Sequence, residues 1–140
     1  MKHIILSAAA LLTLGGCVSQ EQADARMARG CEAGVRSLLT DGAEIEQVTG
    51  RTFAADNSID GQNRRATLAT VTNEGWHTAE KQYSCLFHEQ WGLFRSSHIP
   101  TLVHIDMGGN RIVGTKGGEM KGGLEQFTVL TGVVDRAMGQ

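Results

Sequence analysis

From about Asp24 to Thr40 the apolar positions Met27, Cys31, Val35, Leu38 and Leu39 recur at steps of 4, 4, 3 and 1, the spacing of one face of an α-helix. Arg26, Arg29, Glu32 and Arg36 fall mainly on the other sides, and Asp41-Gly42 follows as a stop. Gly30 and Gly34 lie inside this segment. Each weakens a helix by up to about 1 kcal/mol relative to alanine, and each would let a strand approach closely. The middle of the chain changes period. Gln47 to Ala55 reads as a first strand, and Arg64 to Thr72, rich in threonine and small apolar residues, as a second. Asn73-Glu74-Gly75 then turns the chain. Within Trp76 to His88, Tyr83, Cys85 and Phe87 alternate with Gln82, Ser84, Leu86 and His88, and the first set is the expected core face. Ile99, Thr101, Val103 and Ile105 alternate again, with Leu102, His104 and Asp106 opposite. Met107-Gly108-Gly109-Asn110 reads as a hairpin loop into Arg111 to Gly114.

After the glycine-rich stretch from Gly114 to Gly123, taken as a flexible connection, Leu124, Phe127, Leu130, Val134 and Met138 are spaced as a second helical stripe that Val133 widens. The expected class is therefore α+β. An N-terminal helix, a sheet of four to five antiparallel strands and a C-terminal helix would share one core over residues 24–140. There is no internal repeat and no low-complexity tract.

The start of the chain has a different pattern. Met1-Lys2-His3 is short and cationic, Ile4 to Leu14 is an uncharged run of 11 residues, and Gly15-Gly16 are small. These are the parts of a secretory signal, and the run is shorter than the roughly 20 apolar residues a membrane-spanning helix needs. A cysteine follows at once. Leu14-Gly15-Gly16-Cys17 resembles the lipobox of the bacterial lipoprotein precursors: Leu, a small or apolar residue, Gly or Ala, then Cys. The resemblance covers residues 1–17 only. It implies that residues 1–16 are removed and that Cys17 becomes the first residue, carrying a thioether-linked diacylglycerol and, in most Gram-negative bacteria, a third, amide-linked acyl chain. Two or three chains, at about 0.8 kcal/mol per buried methylene, make an effectively permanent membrane anchor. Val18 stands where an aspartate would retain such a protein in the inner membrane of enterobacteria, which points to the outer membrane, periplasmic side. Residues 17–23, with Ser19-Gln20-Glu21-Gln22 at their centre, read as a polar tether reaching about 25 Å when extended.

With Cys17 assigned to lipid, two of the three cysteines remain, Cys31 and Cys85, in a compartment that favours disulfides. A bond between them would close a loop of about 54 residues and stabilise by roughly 4 kcal/mol on the chain-entropy model. The rival use, a thiol pair for metal or redox chemistry, has neither a C-x-x-C nor a third thiol behind it. Charge narrows the partners. Once Lys2 is removed, 12 basic side chains face 15 acidic ones, and no basic cluster exceeds Arg64-Arg65. Nucleic acid is not an expected partner.

Candidate chemistry is sparse. His88, His104 and Asp106 are a conceivable set of borderline metal ligands on the wet side of the sheet, with no recognisable ligand spacing. No serine sits in G-x-S-x-G, the phosphate-loop order is absent, and neither a cofactor nor an enzymatic activity is expected. The segment Trp91-Gly92-Leu93-Phe94 is unusually apolar for a connection between strands. It either folds back to plug one end of the sheet or is an exposed anchor for a partner, with Arg95 and His98 as its polar rim. These readings lead to a non-catalytic binding or assembly lipoprotein, held to the membrane through Cys17 and working with another envelope protein. The alternative is a lipoprotein that binds a small ligand or a metal.

Overall fold

The computed structural model describes residues 16–140. Residues 1–15 of the expected signal segment, with Leu14 and Gly15 of the lipobox-like pattern, lie outside the described residues. Helix α1 (Gln20–Leu38) is followed by six strands, β1 (Glu44–Ala55), β2 (Asn63–Asn73), β3 (Thr78–Trp91), β4 (His98–Asp106), β5 (Ile112–Lys116) and β6 (Glu119–Lys121), and then by helix α2 (Leu124–Met138). The strands form one antiparallel sheet in chain order, β1-β2-β3-β4-β5-β6. The architecture is α+β, with six strands rather than four to five. The additional strand comes from the glycine-rich stretch expected to be a flexible connection. Gly117 and Gly118, with φ of 61° and 79°, make the tight two-residue turn that joins β5 to β6.

Both helices cover the same face. Met27, Cys31, Val35 and Leu38 of α1 are buried with Leu130, Val134 and Met138 of α2 and with Leu68, Tyr83, Cys85, Phe87, Leu102 and Ile105 of the sheet. Cys31 and Cys85 form a disulfide with their Cα atoms 5.7 Å apart, pinning the middle of α1 to the central strand β3. The first helix begins at Gln20, four residues before Asp24, where the sequence pattern starts it. Ser19 caps it: its hydroxyl accepts from the Gln22 N–H, and the Ser19 N–H donates to the Gln22 side chain. Of the seven residues expected to form a polar tether, only Cys17 and Val18 precede the Ser19 cap.

Gly30 admits the second helix rather than a strand, whereas Gly34 admits both. A Cβ at Gly30 would stand 2.6 Å from Met138 Cγ, and one at Gly34 would stand 2.5 Å from Ile105 Cδ1 and 2.9 Å from Val134 Cγ2. The two glycines let α2 lie close along α1, with Gly34 also against β4.

In β4 the expected alternation holds only in its second half. The register with β3 shifts between Leu86 and Phe87, so that Leu86 pairs with His104 but Phe87 with Leu102, leaving Val103 as a bulge. Before the bulge His98, Pro100 and Leu102 are buried while Ile99 is 50% exposed; after it Ile105 points to the core.

Candidate functional site at the Trp91 end of the sheet

Four pieces of chain meet where α1 begins: the first turn of α1, the start of β2, the end of β3 and the start of β4. The residues that face inward there have the core parity of their strands, yet they are polar. Along β3 the core-side series Tyr83, Cys85, Phe87 continues to Glu89 and Trp91. On β4, His98 lies opposite Trp91, and Pro100 opposite Glu89. His98 Nε2 and Glu89 Oε1 are 2.9 Å apart, with the two side chains 0% and 8% exposed. Burial, offset in part by Glu89, lowers the His98 pKa, so the imidazole is neutral at pH 7 and its Nε2–H donates to the carboxylate. The Trp91 and His98 rings lie 4.3 Å apart with their planes tilted by 39°, and the Arg95 guanidinium lies over the indole at 3.9 Å. The order is thus Arg95, Trp91, His98, Glu89.

A second pair braces this cluster. Arg64 of β2 reaches Asp24 of α1 with two parallel contacts, Nε to Oδ1 at 2.5 Å and Nη2 to Oδ2 at 2.7 Å. The bidentate geometry raises the Arg64 pKa and keeps the guanidinium charged. Arg26 donates from Nη1 to the His98 carbonyl oxygen at 2.9 Å, tying α1 to the start of β4. Gln20, Asn63, Arg64, Glu89, Trp91 and Arg95 border an open cavity of about 500 Å³, within the size range of small-ligand sites. It presents guanidinium, carboxylate, amide and indole groups within one depression.

The other positions singled out by the sequence are dispersed. His88 Nδ1 lies 3.0 Å from Asn63 Oδ1. His104 Nδ1 lies 2.9 Å from the Thr115 carbonyl, and Asp106 accepts from the Gly108 N–H. Each of the three is engaged by its own neighbour, and no group of three or more His, Cys, Asp or Glu side chains is arranged to hold a metal among the described residues. His104 is buried against Leu86 on the face away from the helices, and that burial lowers its pKa.

The Trp91-Gly92-Leu93-Phe94 segment divides between its two expected roles. Trp91 is half-buried and plugs the sheet end, while Leu93 is 84% and Phe94 92% exposed on a single 3-10 turn. His98, expected at an exposed rim, is buried beneath Trp91. Sequence reasoning missed Asp24, Arg64 and Glu89. For Glu89 there was a signal: a carboxylate two places beyond Phe87 has core parity, and a buried carboxylate requires a partner. A second depression of about 640 Å³ lies where α1 ends and α2 starts, beside the exposed Leu124 and Val129.

No family model, curated protein or solved structure matches this chain. No helix among the described residues is long and apolar enough to cross a membrane.

Proposed function

We propose that this protein is an envelope lipoprotein, anchored through acyl chains on Cys17 on the periplasmic side of the outer membrane, and that its domain is a non-catalytic binding or assembly component. The observation that carries this reading is the lipobox pattern ending at Cys17, together with the state of that cysteine: it is exposed and free, while the other two are joined. A disulfide in the domain accords with an oxidising compartment. The short distance from Cys17 to the capped start of α1 favours a domain that works against the membrane rather than on a long leash. Metabolic labelling with palmitate tests the anchor. The wild-type chain is expected to take up label and Cys17→Ser to take up none; an unlabelled wild type would refute the reading. Crosslinking in living cells tests the second half, and one dominant protein adduct is expected.

A second reading has an observation of its own. The cavity beside Trp91 combines a stacking surface with Arg64, Arg95 and Glu89, which suits a small ligand bearing both charge and a flat or apolar face. A ligand-dependent rise in melting temperature would favour it.

A further inference from the structure

Two exposed apolar side chains lie beside the cysteine that the lipoprotein reading anchors. The Val18 N–H donates to the Arg95 carbonyl at 2.8 Å, and Arg95 in turn donates from Nε to the Val18 carbonyl at 3.3 Å and from Nη2 to the Gln20 side chain at 3.2 Å. Residues 17–20 and the turn Leu93–Arg95 are therefore stitched together. Cys17 is one residue from Val18, and Phe94 one residue from Arg95. At about 3.8 Å per residue, the anchored thiol and the tip of the turn are immediate neighbours.

The turn is shaped for presentation. Phe94 and Arg95 both have left-handed backbones, with φ of 55° and 59°, a conformation that residues other than glycine rarely adopt. It leaves Leu93 and Phe94 directed away from the core at 84% and 92% exposure. Gly92 starts the turn where a side chain would meet the Ser96 and Ser97 hydroxyls, so the backbone doubles back tightly. Arg95, held over the Trp91 ring, provides a cation at the base of the apolar tip. An apolar tip above an arginine and a tryptophan is the side-chain order of a membrane interface, where acyl chains give way to headgroups.

We infer that the turn Leu93–Arg95 is a second membrane contact: Leu93 and Phe94 enter the lipid surface that holds the acyl chains of Cys17, with Arg95 and Trp91 at headgroup level. The inference rests on acylation of Cys17. Its consequence is orientation. An acyl anchor alone leaves a domain free to tumble, whereas two adjoining contacts fix which end faces the bilayer. α1 and β3 then rise from the membrane. Trp76, 84% exposed in the bend just before β3, is carried about 40 Å away along the 14-residue strand.

The test uses the acylated full protein, with the Cys31–Cys85 disulfide intact, in vesicles of phosphatidylethanolamine and phosphatidylglycerol. Phe94→Cys and Trp76→Cys each replace an exposed side chain, and each is spin-labelled. Relaxation of the label by oxygen, which concentrates in lipid, is compared with relaxation by a water-soluble nickel complex. A ratio favouring oxygen at position 94 by several-fold over position 76 is the expected result. Leu93→Ser in the same background should lower the ratio at 94 while the protein stays with the vesicles. Equal, water-like ratios at both positions on a protein whose mass shows acylated Cys17 would overturn this inference and leave the lipoprotein reading standing. So would a label at 94 shielded from both reagents, the mark of a protein partner on the turn. A chain whose mass shows no acyl group on Cys17 would overturn both.

Discussion

Glu89 and His98 meet at 2.9 Å with their side chains 8% and 0% exposed, on strands whose neighbouring core positions are Phe87 and Leu102. The burial of His98 makes stability depend on pH. Burial holds the His98 pKa below its usual value, and His104 is displaced in the same direction for the same reason. The unfolded chain, with ordinary histidines, takes up protons near pH 6.5 before the folded one does. Stability is thus fully present above about pH 6.5 and is lost as pH falls through the lowered folded values. The denaturant midpoint should be lower at pH 5 than at pH 7.5. The double variant His98→Gln, His104→Gln should be less stable at pH 7.5 but show a shallower fall. An unchanged slope would mean that neither histidine is the titrating group.

Further acidification should expose a second loss. Asp56 is held down to a pKa of about 2 by hydrogen bonds from Ser58, with Arg65 adding to the effect. Its contribution is present above its ordinary value near 4 and disappears as pH falls towards 2. Asp56→Asn should remove this part of the acid transition, as followed by circular dichroism between pH 4 and pH 2.

The Asp24–Arg64 pair is only 15–19% exposed, so cutting it leaves a poorly solvated charge. Asp24→Ala or Arg64→Ala alone is expected to cost about 2–3 kcal/mol. The double variant should cost less than the sum of the two. Additive effects in a double-mutant cycle would show that the pair is not coupled.

Cys31→Ala with Cys85→Ala should lower stability by about 4 kcal/mol, because the bond spans 54 residues of chain. Reductant should lower the melting temperature of the wild type and leave that of the double variant unchanged.

Two glycines in the helices should respond oppositely to alanine. At Gly34 the new methyl would meet Ile105 and Val134, and overpacking of about 1–3 kcal/mol exceeds the roughly 1 kcal/mol gained in helix propensity. Gly132 of α2 has nothing within 4 Å of the added carbon, so Gly132→Ala should stabilise by up to about 1 kcal/mol. Equal signs for the two would contradict the close approach of α1 and α2 at Gly34.

Much of the fold was legible along the chain because helix and strand have different local periods. Met27, Cys31, Val35 and Leu38 determine the buried face of α1, and Tyr83, Cys85 and Phe87 that of β3, whatever packs on them. The cysteine count also anticipates the Cys31–Cys85 bond. The sixth strand was less legible: Met120 is 41% exposed and its neighbours are polar, so no hydrophobic alternation announces it. Its existence follows from the turn at Gly117-Gly118. What only the tertiary structure decided are the relations between distant segments. The bulge at Val103 arises from pairing with β3, and it reverses the inside and outside of half of β4. Asp24 finds Arg64 across 40 residues, and Val18 finds Arg95 across 77. Such pairs leave no periodic trace, because each partner obeys only its own strand or helix. The physical reason is that local sterics set which residues share a face, whereas register and chain crossing set which faces meet.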